Sequence, residues 1–178
     1  NINASFVSRN FIARISGADG KLDDAFSPTL NGQVSTLQLQ SDGKVVAGGA
    51  FSTAVGTDGK LDKTTDASGR STDSVPVRNR LARFTPEGNL DFAYNPNANG
   101  NVITSVLQPD GRLLIGGSFT TVGGVTRKRV ARLNSDGSLD STFNSLNNVI
   151  DIDASNNNVR VVAVQSDGKI IIGGDFLK

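Results

Sequence analysis

Residues 108–119 read Gln-Pro-Asp-Gly-Arg-Leu-Leu-Ile-Gly-Gly-Ser-Phe, and the same pattern returns at 40–51 and 165–176. In each copy an Asp-Gly pair stands between a strand-like run and a second apolar run. Gly accepts a positive φ and Asp tolerates one, as tight hairpin turns require. The pattern therefore predicts three antiparallel hairpins, in which Val34–Gln40 pairs with Lys44–Gly48 and the other copies pair in the same way.

A second motif joins one hairpin to the next. It reads Arg-Val-Ala-Arg-Leu, then Asp-Gly-Ser-Leu-Asp, then Phe within 129–143, and its other copies lie at 11–26 and 80–94. The copies are unevenly spaced because extra residues stand in two places. We therefore predict a single repeat domain over 1–178, with repeat motifs approximately at 10–53, 79–126 and 127–178 and insertions near 54–77 and 144–158.

The fold class is predicted to be all-β, because no segment shows a sustained period of 3.6 residues. Each repeat would hold three or four short strands, and such a unit cannot bury both faces of its sheet without neighbours. Units of this size are typical of propeller blades, although a ring usually holds ~4–8 of them. Three arrangements stay open: an excerpt of a longer array, two chains paired into one ring, or three repeats closed into a compact three-fold structure.

Apolar patterning predicts which residues form the core. The runs 113–115 and 170–172 are unbroken, which is typical of strands covered on both faces. Each Gly-Gly pair is followed two residues later by a Phe that we expect in the core. These are Phe51, Phe119 and Phe176.

The two ends of the sequence are complementary. Residues 173–178 followed by 1–14 resemble the internal stretch 116–132, so we expect a chain cut mid-repeat at both ends. Open strand edges recruit partner chains. Head-to-tail association is therefore predicted, in which Asn1–Arg14 completes the repeat that Lys169–Lys178 of a neighbour begins. The same segment could instead close a ring within one chain.

Composition excludes several classes of function. The chain of 178 residues has no Cys and no His, which excludes disulfides, thiol catalysis, Cys-ligated zinc and a Ser-His-Asp triad. A net charge of +1 gives no bulk attraction to nucleic acid, so no nucleic-acid partner is expected. No apolar run approaches the ~18 residues of a transmembrane helix, and no membrane insertion is expected.

The combined pattern resembles the bacterial delta-60 repeat, a β-propeller-like family. The pattern is Arg-x-x-Ala-Arg-Leu-Asn-x-Asp-Gly-Ser-Leu-Asp-x-x-Phe, then Gln-x-Asp-Gly-Lys and Gly-Gly-x-Phe, and it is matched by 80–119, 129–143 and 165–176. The match covers nearly the whole chain outside the insertions, with Tyr94 in place of Phe in the second copy. The resemblance implies a large secreted or surface protein of bacteria with many such repeats, and it implies no catalytic residues.

The recurring charged residues are interpreted as structural. The Asp of each Asp-Gly pair is predicted to stabilise its turn, although carboxylates are also the usual calcium ligands. The recurring arginines are predicted to pair with aspartates of their own or the next repeat, because a binding site normally breaks repeat symmetry. The residues concerned are Arg14, Arg83 and Arg132, with Asp23, Asp91 and Asp140.

The insertions carry the candidate metal ligands. The 54–77 insertion is polar and is predicted to project as a loop or small hairpin, a common place for function. Their carboxylates make calcium the candidate ion in 54–77 and in 144–158. Nothing in either insertion resembles a D-x-D-x-D-G calcium loop, so a solvent-exposed loop without a metal site is favoured. The candidate ligands are Asp58, Asp62, Asp66, Asp151 and Asp153.

The predicted function is non-catalytic. Glu87 is the one glutamate and occupies an Asp-Gly turn position, so it is interpreted as a turn residue. The sequence favours an extracellular or cell-surface repeat module of a bacterium, acting as a scaffold, adhesin or fibre segment without a cofactor. Expected partners are further repeats or copies of the chain, with a glycan or surface protein at the loops. The alternative is a carbohydrate-binding or carbohydrate-acting domain that uses paired carboxylates in the insertions.

Overall fold

The computed structural model of the chain describes residues 8–65, 71–143 and 157–175. All regular structure in these ranges is β-strand, which confirms the predicted all-β class. None of the described residues forms a helix with the length and apolarity needed to span a bilayer. The strands are β1 (Thr29–Leu30), β2 (Val34–Leu39), β3 (Val45–Gly49), β4 (Ala54–Val55), β5 (Asp62–Thr65), β6 (Ser71–Ser74), β7 (Leu81–Phe84), β8 (Val102–Leu107), β9 (Leu113–Gly117), β10 (Thr121–Val122), β11 (Val125–Thr126), β12 (Val130–Leu133), β13 (Val159–Val164) and β14 (Ile170–Gly174).

Three antiparallel hairpins form the centre of the fold, as the Asp-Gly pattern predicts. They are β2–β3, β8–β9 and β13–β14. The turn glycine has a positive φ, 81° at Gly111, where a side chain would be strained. The Asp110 carboxylate accepts the Arg112 backbone N–H at 3.0 Å, which holds the turn closed. The predicted turn role of these Asp-Gly pairs is confirmed.

The Ala-Arg strands of the second and third motifs each add to the hairpin that precedes them in the sequence. β7 pairs with β3, and β12 pairs with β9, both antiparallel. A sheet therefore begins in one sequence motif and ends in the next. Strands β2, β3 and β7 form the first sheet, β8, β9 and β12 the middle sheet, and β13 and β14 the third sheet. An isolated bridge, such as Phe84 to Leu90, stands where a fourth strand would lie.

The three sheets pack face to face in sequence order. β8 lies between β2 and β13, so the middle sheet is covered on both faces. Every residue of β9 is buried, as its unbroken apolar run predicts. Leu114 packs into the cluster shared with the third sheet, and Ile115 into the one shared with the first. Removal of apolar surface from water by this stacking is the main stabilising contribution.

The outer sheets differ from the middle one. The prediction that 170–172 is covered on both faces is wrong, because Ile171 is 54% exposed. No further sheet follows the third sheet in the described residues to cover it. On the opposite side of the stack, Leu37 and Leu39 of the first sheet are 49% and 69% exposed.

A leading segment, residues 8–30, covers part of the first sheet. Its Ile12, Phe26 and Leu30 share a buried cluster with Ala47 of β3. Aromatic residues complete this packing, and the predicted core position of Phe51 and Phe119 is confirmed by their complete burial. Phe176 lies outside the described residues.

The 54–77 insertion contains a small hairpin, as predicted. Its strands β5 and β6 pair antiparallel, with Asp62 opposite Ser74. Just before them β4 pairs with β1, which anchors the insertion to the leading segment. The insertion near 144–158 lies almost entirely outside the described residues.

The stacking predicts that Gly116 cannot gain a side chain cheaply. A Cβ on Gly116 would lie 2.7 Å from Val159 Cγ1 and 2.9 Å from Thr104 Cγ2, closer than carbon atoms pack. Gly116→Ala should therefore lower the free energy of unfolding by about 1–3 kcal/mol in urea denaturation. The control is Gly17→Ala, where no described atom lies within 4 Å of the added Cβ. Equal stability of the two variants would contradict close packing between the middle and third sheets.

Candidate functional site

An arginine, an aspartate and an aromatic ring form one cluster in each repeat. β7 carries Arg83, and the following turn brings Asp91 back beside it, where the Asp91 N–H donates to the Arg83 carbonyl at 2.8 Å. Arg83 Nε donates to Asp91 Oδ2 at 3.0 Å. The guanidinium carbon of Arg83 lies 4.3 Å from the centre of the Tyr94 ring. The ring face attracts the cation, so one arginine serves both partners.

Equivalent clusters stand before and after this one. The arginine Nε lies 2.8 Å from a carboxylate oxygen in both. The guanidinium carbon lies 4.6 Å from the ring centre in one cluster and 4.9 Å in the other. The predicted arginine–aspartate pairing is confirmed, and each partner comes from the same repeat motif. The two clusters are Arg14–Asp23–Phe26 and Arg132–Asp140–Phe143.

Each of the first two clusters also binds the turn of the following sheet. Arg14 Nη1 donates to the Pro86 carbonyl and Arg83 Nη1 to the Ser135 carbonyl, both at 2.5 Å. The turn glycine lies against the ring, since a Cβ on Gly137 would be 2.6 Å from Tyr94 Cδ2. The next sheet therefore closes the cluster. Sequence analysis missed this contact, because Arg83 and Ser135 are 52 residues apart and no single motif contains both.

The third cluster lacks this closing contact within the described residues. Arg132 donates through Nε to Asp140 and through Nη2 to Thr142, and its Nη1 has no described carbonyl partner. In the first sheet Gln40 Oε1 accepts from Arg83 Nη1 at 3.4 Å. Gln108 holds the corresponding position in the middle sheet, and its Oε1 is buried without a described hydrogen-bond partner.

Asp23 and Asp140 are stabilised as carboxylates by the hydrogen bonds of their clusters. The Thr142 hydroxyl, 2.6 Å from Asp140 Oδ1, and Arg132 together lower the pKa of Asp140 to about 2. The hydrogen bond from Arg14 likewise lowers the pKa of Asp23. Burial raises the pKa of Tyr94, so its hydroxyl stays protonated beneath Arg83. These shifts keep Asp23 and Asp140 ionised and Tyr94 protonated near neutral pH, which does not suit any of the three for proton transfer.

A groove of about 1100 Å³ runs between the hairpin turns of the first and middle sheets. Asp42, Asp110 and Asp136 line it, and each carboxylate accepts the backbone N–H two residues later in its own turn, at 3.1, 3.0 and 2.8 Å. The backbone bond from Lys44 lowers the pKa of Asp42, and the Ser138 hydroxyl does the same for Asp136. The groove therefore presents carboxylates that are already used by the turns.

The described calcium candidates each lie beside a cation. Asp58 stands in a turn with its Oδ2 3.0 Å from Lys60 Nζ, and Asp62 Oδ2 lies 3.6 Å from Nη1 of the buried Arg78. Among the described residues, no three or more acidic side chains are grouped so that they could hold a metal ion. Asp66, Asp151 and Asp153 lie outside the described residues.

A second recurring arginine was also missed by sequence analysis. Arg78 and Arg127 are almost fully buried, and each donates to the carbonyl of the preceding residue at 2.8 Å. Arg9 holds the same position in the leading segment and donates to the Ser8 carbonyl. The signal was present, because these arginines recur with the same spacing as the Ala-Arg motif.

In comparison with known families, the chain matches a β-propeller family described as a domain of unknown function, DUF5122. The match covers residues 40–64, 56–91, 108–143 and 165–178, more than half of the chain. The chain belongs to this family. Membership confirms the propeller-like repeats that the sequence predicts. The matched DUF5122 ranges contain the three hairpin turns, the whole Arg132–Asp140–Phe143 cluster, and Arg83 and Asp91 of the second cluster. Among curated proteins no relative matches the chain.

In this DUF5122 domain, loss of the arginine should destabilise the buried Arg83 cluster far more than the exposed Arg14 cluster. Arg83→Met leaves the Asp91 carboxylate and the Ser135 carbonyl without their donor in a mostly buried place, which should cost about 3 kcal/mol of unfolding free energy. In the matched variant Arg14→Met the arginine is 42% exposed, and the loss should stay below about 1 kcal/mol. Urea denaturation of both variants measures the difference. Equal losses would contradict the role given to burial of the Arg83 cluster, since both arginines donate to a turn carbonyl of the following sheet.

The lowered pKa of Asp140 predicts a contribution to stability that depends on pH. The pKa is about 2 in the folded chain against an ordinary value of 3.8, so the contribution is complete above that ordinary value and is lost as pH falls towards 2. The unfolding free energy gained from Asp140, measured as wild type minus Asp140→Asn, should fall by about 2 kcal/mol over this range. A difference that is independent of pH would contradict the assignment.

Proposed function

We propose that this DUF5122 domain is a non-catalytic repeat module of an extracellular bacterial protein, acting as a scaffold or as a segment of an adhesin or fibre. The observation that carries the proposal is the threefold recurrence of the arginine–aspartate–aromatic cluster. Its charged groups are consumed in joining strands and sheets, and they keep the symmetry of the repeats. A catalytic site would normally differ from one repeat to the next.

The state of the carboxyl groups supports the non-catalytic assignment. A general acid needs a raised pKa, and a glycosidase needs one such acid beside a second carboxylate. Hydrogen bonds within the turns instead lower the pKa of Asp19 and Asp167. The Thr85 hydroxyl lowers that of Glu87, whose turn is closed by the Gly88 N–H bonded to the Thr85 carbonyl at 2.8 Å. These groups are suited to holding turns.

The extracellular assignment rests on the resemblance to the delta-60 repeat, whose members are large secreted or surface proteins of bacteria. Within such a protein the loops at one edge of the sheets would meet a glycan or a surface protein. The inserted β5–β6 hairpin breaks the repeat symmetry, and the exposed apolar side chains of Leu61, Val75 and Phe92 lie on or near it. It is therefore the proposed contact region.

Glycan turnover is the experiment that separates this function from its alternative. The wild-type chain and the double variant Asp58→Asn, Asp62→Asn are incubated with a panel of polysaccharides, and newly formed reducing ends are measured. We expect no turnover by either chain. Turnover by the wild type that is lost in the double variant would show that the chain is a carbohydrate-acting enzyme and would overturn the scaffold proposal.

Calcium is expected to have no effect on the folded chain, because Lys60 and Arg78 already neutralise the two described candidate ligands. A specific ion bound only by the folded state raises the melting temperature by mass action. Thermal melts in millimolar calcium and in chelator should therefore have the same midpoint, with magnesium as the control for ionic strength. A rise in calcium alone would show a site that the scaffold proposal does not contain.

A further inference from the structure

The outer faces of the stack are apolar and exposed. The trailing face belongs to the third sheet and consists of Val161, Ala163, Ile171 and Gly173, with Val161 55% and Ile171 54% exposed. The leading face belongs to the first sheet and consists of Leu37 and Leu39. The structure itself shows what covers such faces, because the same positions are buried elsewhere in the chain.

The contact between the first and middle sheets shows how two faces fit together. Thr36 Oγ1 and Ser105 Oγ are 2.7 Å apart, and Gln38 Nε2 donates to the Ser105 carbonyl at 2.9 Å. Gly48 leaves space for Val102, whose Cγ1 would lie 2.9 Å from a Cβ at that glycine. One face thus carries a glycine notch, and the other supplies the side chain that fills it.

The middle and third sheets repeat this contact with different residues. A Cβ on Gly116 would lie 2.7 Å from Val159 Cγ1 and 3.0 Å from Val162 Cγ1. Leu114 and Val159 share one buried cluster across this junction. The contact is therefore a property of the repeat, formed twice with the same geometry and with apolar or polar side chains at its centre.

The two exposed faces are the two halves of this same contact. Counted along the repeats, Ile171 and Gly173 hold the positions of Val46 and Gly48, which face the next sheet. Leu37 and Leu39 hold the positions of Ser105 and Leu107, which face the previous sheet. The trailing face of one molecule therefore has the shape that the leading face of another requires.

The polar part of the junction points to the same partner. In the first two clusters the turn of the following sheet supplies a carbonyl to the arginine and lays its glycine on the ring. The third cluster has Arg132 Nη1 without a described carbonyl, and Phe143 is only partly buried. The corresponding turn at the other end of the molecule is Ser16–Gly20, where Gly20 has φ 70° and no described atom within 4 Å of an added Cβ.

The strands complete the comparison. β14 corresponds to β3 and β9, which pair with β7 and β12 along their second edge. In the described residues β14 is paired with β13 alone, so its second edge has no described partner strand. Residues 12–15 carry the Ala-Arg motif, and their described bridge joins Ile15 to Leu22. By the register of β3 with β7, Gly48 to Leu81 and Val45 to Phe84, Ile12 would pair with Gly173 and Ile15 with Ile170.

We propose that the trailing face and the β14 edge bind a second copy of this chain, head to tail. The 12–15 strand of that copy adds to β14, its Ser16–Gly20 turn closes the Arg132–Phe143 cluster, and its leading face covers Ile171. This proposal deepens the scaffold function proposed above, on which it rests, by naming the partner of the module. The contact is heterologous, so each molecule offers one donor surface and one acceptor surface.

Two single-face variants test the heterologous contact. Ile171→Asp places a charge on the trailing face, and Leu39→Asp places one on the leading face, both at exposed positions where the monomer fold tolerates it. Light scattering should show wild type at twice the 18.6 kDa chain mass or above, and each variant alone at the monomer mass. An equal mixture should form a heterodimer, since each variant keeps the surface that the other lacks. Val125→Asp, exposed but on neither face, is the control and should associate like wild type.

The turn contact has its own matched pair. Asn tolerates the left-handed backbone, so Gly20→Asn should leave the monomer folded. Its side chain should block contact between this turn and Phe143 of the other copy. Association should weaken at least ten-fold. Gly59→Asn, in an Asp-Gly turn with φ 65° and equally open surroundings, should leave association unchanged.

Three results would overturn the proposal. A wild-type monomer at all concentrations would remove the second copy as the occupant, and a loss of monomer stability in Ile171→Asp would then show closure within one chain. Oligomers that persist in both single-face variants would place the contact elsewhere. Failure of the mixed variants to associate, with both folded by circular dichroism, would exclude a head-to-tail contact. Glycan turnover is measured separately, so failure of the scaffold function is distinguishable from failure of this interface.

Discussion

The sheets of this chain are covered by one another, because strands that are apolar on both faces cannot be buried within a single sheet. The middle sheet shows the consequence most clearly, since all of β9 is buried between its neighbours. Glycines at positions such as Gly116 let the next sheet approach closely. A valine of that sheet occupies the space that a side chain at the glycine would take. Each internal junction is therefore a fitted contact, and sheet order in space follows repeat order in the sequence.

The arginine clusters convert this apolar stacking into a directional contact. Apolar faces alone would tolerate sliding of one sheet over another, whereas Arg83 must reach the Ser135 carbonyl while it holds Asp91 and Tyr94. Charge-assisted hydrogen bonds of this kind are short and demand their geometry. Each cluster is thus built by one sequence motif and completed by the next sheet. This explains why the third cluster, whose Arg132 Nη1 has no described carbonyl partner, lies at the same end of the stack as the exposed trailing face.

Much of this architecture could be predicted from the sequence, for local reasons. Asp-Gly between apolar runs specifies a tight turn through the φ of one residue, and the Ala-Arg and Leu-Asp motifs lie close enough along the chain for Arg83 to meet Asp91. What could not be predicted depends on contacts between sheets. The reach of Arg83 to Ser135 and the Thr36–Ser105 contact join different motifs, and the exposure of Ile171 depends on which neighbours a sheet has. For the same reason the sequence could list calcium candidates but could not predict whether they lie close together. In the structure Asp58 and Asp62 each lie beside a different cation, Lys60 and Arg78.

Hydrogen exchange of the backbone amides, measured over a range of protein concentrations, tests most directly whether covering by a neighbouring sheet governs stability. Local stability sets exchange rates, so covered strands exchange slowly and uncovered ones faster. At low concentration we expect the amides of β9 to be the best protected and those of β14 to exchange much faster. As concentration rises, β14 and residues 12–15 should gain protection together while β9 stays unchanged. Equal protection of β9 and β14 at every concentration would contradict the account.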